Sequence, residues 1–223
     1  MRLAENVIAE TYVKSAHASA DYYQAHRRAI LGESLYRSTE EAYTAATRVA
    51  SLTPDGEAKR LTTAAERYLG WLRKQGVAEE EIARLVGSRI LGQSSRVVLS
   101  GGRGALARLM DNDPKVIGYQ RQASARCCAF CAMLASRTQL YKSARTAGVG
   151  HTSGRRGFVA GVRTANAAPY HNHCRCTAVP VYSRKQRPPK GFDRFERMWE
   201  SGDIEIKISK SGNPYAVYAN KES

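Results

Sequence analysis

All five cysteines of the 223-residue chain fall between positions 127 and 176, and three of its five histidines, His151, His171 and His173, fall there too. The spacing is Cys128-x-x-Cys131, then 39 residues, then His171-x-x-Cys174-x-Cys176. A C-x-x-C pair presents two thiolates from one tight knuckle, and a second pair from a distant segment completes a tetrahedron around a metal ion. The opening MRLAENVIAE carries Glu5 and Glu10 and no continuous apolar stretch, so it does not read as a secretory signal. A chain made in a reducing compartment favours metal over disulfides or redox thiols. The expected cofactor is a structural Zn2+. Cys128 and Cys131 are the first ligands; the second pair is His171 with Cys174, His171 with Cys176, or Cys174 with Cys176. His173 points elsewhere in most local geometries, and Cys127 reads as a small buried residue.

A catalytic metal needs an open position and a nearby acid or base. A deaminase would carry Glu two residues after its ligand His, but His171 is followed by Asn172 and His173. The metalloprotease H-E-x-x-H is absent as well. Ser153 beside His151, or Ser136 near Cys131 with His171, could be imagined as a nucleophile and base, but no spacing demands it. Gly101-Gly102-Arg103-Gly104 lacks the spacing, the Lys and the hydroxyl of a phosphate loop; it reads as a hinge or helix break. The residues therefore favour a structural protein over an enzyme.

Charge divides the chain. Residues 1–120 hold 17 Lys and Arg against 14 Asp and Glu, whereas residues 121–223 hold 18 against 6. No acid occurs in the 79 residues 114–192, which carry 14 Lys and Arg. Such a stretch calls for a polyanion or an acidic partner, and nucleic acid is the usual polyanion. No apolar run approaches the ~18 residues of a membrane span. A soluble, basic, intracellularly made protein of one or two domains is expected.

Elements must carry these groups. Leu3, Val7, Tyr12, Ala16, Ala20, Tyr23 and Ile30 recur at helical spacing across residues 3–31. Ser38 with Glu41 is a capping box that opens a second helix to about Leu52. Thr53-Pro54 starts a third, to Gln75, with Gly76 as its stop. Glu79, Glu80 and Glu81 open a fourth, through Ile82, Leu85, Val86, Ile90 and Leu91, which ends by Leu99, and a short helix follows over Ala105–Met110. Tyr12, Tyr22, Tyr23, Tyr36, Tyr43, Tyr68 and Trp71 read as core and interface anchors. Gly148 to Gly161 marks a loop-rich stretch, and residues 184–191 (RKQRPPKG) a basic linker. A helix over Asp193–Glu200 follows. Ile204, Ile206 and Ile208 then alternate with charges as a strand, and Tyr215–Tyr218 is its partner across a turn. The fold class is mainly α: long amphipathic helices, then a small loop-rich α+β zinc-stapled module and a short β-hairpin tail. The divisions are a helical docking domain (1–120), a metal-stapled basic module (121–183) and a linker, helix and hairpin tail (184–223).

Residues 126–143 (RCCAFCAMLASRTQLYKS) and 170–181 (YHNHCRCTAVPV) together resemble the MuF-like head-morphogenesis, or minor capsid, proteins of actinobacterial tailed phages. The likeness runs through Arg121 or Arg126, Cys128, Cys131, Leu134, Ala135 and Tyr141, and closes with His171, Cys174 and Cys176. It covers about a quarter of the chain, and the helical region before it also fits. The tail from Gly202 departs from the helical ending of the family. The resemblance implies a virion protein at the portal vertex or capsid interior, formed in the host cytoplasm during head assembly. It implies portal and/or major capsid protein as partners, with DNA reaching the basic 114–192 window. Members are often labelled capsid maturation protease, which would make cleavage of scaffold or capsid precursor the alternative function. No Ser/His/acid set for it can be located in the sequence. A zinc-containing nucleic-acid-binding protein is a second alternative.

Overall fold

The structure, a computed structural model, describes residues 2–47, 54–137, 140–142, 157–159, 162–164, 176–208 and 214–219. Helix α1 (Arg2–Leu31) buries Tyr12, Ala16, Ala20 and Tyr23 at the expected three- and four-residue spacing. The next inward position is Arg27, which is also buried, while Val7 and Ile30 are exposed. The apolar stripe is thus shorter than the sequence pattern indicates, and a charged residue extends it.

Helix α2 (Thr39–Thr47) opens at the expected cap. The Glu41 N–H donates to Ser38 Oγ at 3.1 Å, and the Glu41 carboxylate accepts from the Arg37 N–H at 3.0 Å. The continuation expected to Leu52 lies outside the described residues. Helix α3 (Pro54–Lys74) stops where Gly76 takes φ +70°, a conformation that a β-carbon disfavours.

Helix α4 (Glu79–Asp111) runs unbroken for 33 residues. The break expected at Gly101-Gly102-Arg103-Gly104 does not occur, and all four residues lie buried inside the helix. A Cβ on Gly101 would sit 2.3 Å from the Tyr12 carbonyl oxygen, and one on Gly102 would sit 2.4 Å from Ser19 Oγ and 2.8 Å from the Ser15 carbonyl oxygen. Each glycine costs a helix about 1 kcal/mol relative to Ala. Close approach of α1 outweighs that cost here. Tyr12 meets Gly101, Ser15 and Ser19 meet Gly102, and Tyr23 and Arg27 reach Asp113, so α1 and α4 run parallel. Helices α2 and α3 both pack on this pair.

Asp113 closes the end of the pair. Its side chain is fully buried and accepts from Arg27 Nε at 2.7 Å, the Tyr23 hydroxyl at 2.8 Å and the Lys115 N–H at 3.0 Å. Burial pushes its carboxyl up, but these donors outweigh burial and hold it below the usual carboxylate range.

Beyond α4 the elements shorten. Strand β1 (Gly118–Gln122) pairs antiparallel with β4 (Thr177–Val181), with Gly118 opposite Val181 and Gln122 opposite Thr177. Tyr141 bridges the other edge of β1 through two backbone hydrogen bonds with Tyr119. Helix α5 (Ala129–Ala135) packs on β1. Strands β2 (Gly157–Val159) and β3 (Val162–Thr164) form a small antiparallel pair. Helix α6 (Phe192–Glu200) is followed by an antiparallel pair, β5 (Ile204–Ile208) with β6 (Pro214–Tyr218), as expected for the tail. One buried cluster runs from Ala16 through Leu109 and Met133 to Phe195 and Ile204. The fold is mainly helical, with small two-stranded sheets following α4 in the chain among the described residues.

Candidate metal centre

The C-x-x-C pair forms the first turn of α5. Cys128 is the N-cap, with extended backbone (φ −72°, ψ 160°), and its Sγ accepts from the Cys131 N–H at 3.4 Å. A sulfur here satisfies one of the orphan N–H groups at the start of a helix. Cys131 therefore turns inward, among the small and apolar residues Ala129, Ala132, Met133 and Leu134 that α5 buries.

Cys176 arrives from the other direction, as the residue before β4. Pairing of β4 with β1 and packing of α5 on β1 bring the two segments together. Cys131 and Cys176, 45 positions apart, place their Sγ atoms 2.7 Å from one another, with both residues almost fully buried.

Two buried arginines frame Cys176. Arg121 on β1, only 2% exposed, donates from Nη2 to Cys176 Sγ at 3.1 Å. Arg103 of α4, in the glycine-rich run, donates from Nε to the Cys176 carbonyl at 3.1 Å. A guanidinium does not lose its proton, so burying one calls for strong acceptors nearby. Thiolate at Cys176 would answer that demand for Arg121. Arg103 stood in the sequence only as part of a presumed break, and Arg121 only as a place in a family pattern. For Arg121 the usable signal was the absence of acids from 114–192, since an arginine folded into that window must find acceptors other than local carboxylates; Arg103 lies outside the window and had no such signal.

Cys127 is held apart. The Tyr218 hydroxyl donates to its carbonyl at 2.7 Å and lies 3.8 Å from its Sγ. Burial pushes the Cys127 thiol up to about 11, so it stays protonated near neutral pH. Ser136, imagined as a nucleophile, is buried and donates to the Met133 carbonyl at 2.8 Å. Tyr141 pins α5 by donating to the Leu134 carbonyl at 2.8 Å. His171, His173 and Cys174, with His151 and Ser153, lie outside the described residues. Among the described residues, no group of three or more His, Cys, Asp or Glu side chains is gathered as a metal site. The structure thus brings together one cysteine from each half of the motif, with Cys128 at the mouth of the same helix.

Beside Cys176 lies a cleft of about 310 Å³, bordered by Ser19, Tyr22, Arg103, Gln122 and Thr177. The basic surface lies elsewhere: Arg126, Lys142, Arg184, Lys185, Arg187 and Lys190 are all exposed. Among the described residues, no helix is long and apolar enough to cross a membrane.

Fold and site together define a helical protein with a small cysteine-bearing module seated on its longest helix. Its sequence matches the VG15 protein family over residues 1–202, and the chain belongs to that family, a family of phage gene products. The match stops just before β5, so the terminal hairpin lies outside it. No curated protein and no solved structure matches the chain.

Proposed function

We propose that the protein is a MuF-like minor capsid protein, acting in head morphogenesis of a tailed phage and stapled by one structural Zn2+. The observation that carries the staple is the meeting of Cys131, in α5, with Cys176, the residue before β4. Tetrahedral zinc with sulfur bonds of about 2.3 Å holds ligand sulfurs about 3.8 Å apart, so this pair would open slightly around the ion. Cys128 and one of His171 or Cys174 would complete the set. Zinc supplies cross-linking there, and no reaction. Arg121 and Arg103 would offset the negative charge of the thiolates, which otherwise opposes their burial.

The family match supports the phage assignment, and the resemblance of 126–143 and 170–181 to head-morphogenesis proteins supports the role in the head. In this reading the helical region, residues 1–120, docks on portal or on the inner face of the capsid. The exposed Arg184, Lys185, Arg187 and Lys190 face packaged DNA or an acidic portal surface.

Co-expression with the portal and major capsid proteins of the same phage tests this reading. Retention on affinity-tagged portal or capsid is expected. Failure to bind either, with strongly salt-dependent binding to DNA alone, would replace the virion role by that of a nucleic-acid module.

A further inference from the structure

We propose that Cys131 and Cys176 are also a cross-linking site, which closes as an intrachain disulfide when the protein passes from a reducing to an oxidising environment. The change of environment rests on the phage reading, since a particle protein leaves the cell at lysis. The chemistry of the pair does not require that a metal be bound.

Three observations converge. The two sulfurs are already in contact at 2.7 Å, whereas Cys128 Sγ caps α5 and Cys127 lies against Tyr218. Both residues are buried (2% and 1% exposed), which favours pairing within the chain over pairing between chains. Cys176 also borders the cleft of about 310 Å³, with Arg103 in its wall. That cleft is an opening beside Cys176, through which one end of a small-molecule disulfide of the glutathione class would approach it.

The exchange balances. Cys176 loses its proton and its thiolate attacks one sulfur of the small-molecule disulfide; a mixed disulfide forms, and one small thiolate leaves and takes up that proton. Cys131 likewise loses its proton and attacks Cys176 Sγ, forming the Cys131–Cys176 bond and releasing the second small thiol. Two protein thiols give up two electrons, and one disulfide is reduced to two thiols. The same sulfurs cannot hold zinc in this state, so bound Zn2+ would leave as the bond forms. A covalent tether between α5 and β4 would then replace a metal tether.

The experiment treats the full-length reduced protein with oxidised glutathione, alkylates the remaining thiols and maps the peptides without reduction. Zinc is measured before and after. A peptide linking Cys131 to Cys176 is expected, two hydrogens lighter than its parts, with Cys127 and Cys128 alkylated. Cys128→Ser should keep the link, and Cys176→Ser should lose it. Wild-type protein that instead pairs Cys128 with Cys131 or Cys174 with Cys176, or that leaves Cys131 and Cys176 alkylated, overturns the proposal. The metal reading fails separately: its failure is an absence of zinc from the reduced protein, whatever the peptide map shows.

Discussion

The helical region and the cysteine-bearing region meet the cost of chain ordering by different means. Helices α1 and α4 approach so closely over Gly101 and Gly102 that backbone meets side chain, and an ion pair locks the end of the pair at Asp113. The region around Cys131 has a seven-residue helix and two paired strands of five residues. Its α5 core consists largely of alanines and cysteine, with Met133 and Leu134, which offer less area than a tyrosine stripe. It leans on α4 through Arg103, and within it Arg121 of β1 reaches Cys176, whose sulfur meets that of Cys131. Long helices stabilise one another by packing; short elements of small residues depend more on the surfaces they borrow.

This contrast can be broken from either side. The largest effect is expected for Asp113→Ala, which leaves Arg27 buried without its carboxylate and should cost about 3–5 kcal/mol in urea unfolding. A cost below about 1 kcal/mol would show that the lock is dispensable. The pH dependence has a definite sign. The Asp113 carboxyl is held low in the folded state, so its contribution is present above the unfolded value of about 3.9 and fades as pH falls below it. Asp113→Asn should flatten that acid limb of the stability curve. Next comes Gly101→Val, for which displacement of the Tyr12 backbone should cost about 1–3 kcal/mol. Hydrogen exchange should then show weakened protection in α1 and α4. Within the cysteine region, Tyr141→Phe removes one buried hydrogen bond to α5 and should cost about 1 kcal/mol, with exchange rising in α5 but not in α1. The smallest effect belongs to Ser38→Ala, about 0.5–1 kcal/mol, confined to α2.

Helix starts were the most legible features, because first-turn chemistry acts locally: Ser38, Pro54 and the acidic run at Glu79 stand where their chemistry suggests, as does the stop at Gly76, whereas α4 runs past the expected end at Leu99 to Asp111. The tail strands also followed from alternation at Ile204, Ile206 and Ile208. The glycine-rich run misled because propensity is a local quantity, whereas a partner helix decides whether a missing side chain is a weakness or a fit. Arg27 was invisible as a core residue, since its carboxylate stands 86 positions away. Strand β1, with Gln120, Arg121 and Gln122, has no apolar alternation, and β4 contains Pro180, so their pairing carried little sequence signal. At the site, the cysteines announced themselves by spacing. The arginines beside Cys176 did not: the acid-free stretch shows that Arg121 needs other acceptors but not that it will be buried, and Arg103 lies outside that stretch.

The most direct measurement is the metal content of the purified, reduced protein by mass spectrometry, beside a Cys128→Ser/Cys131→Ser variant. About one zinc per chain is expected, absent from the variant together with the thermal stability of the C-terminal half. A native protein that carries no zinc, with that half as stable in the variant as in the wild type, would contradict the staple.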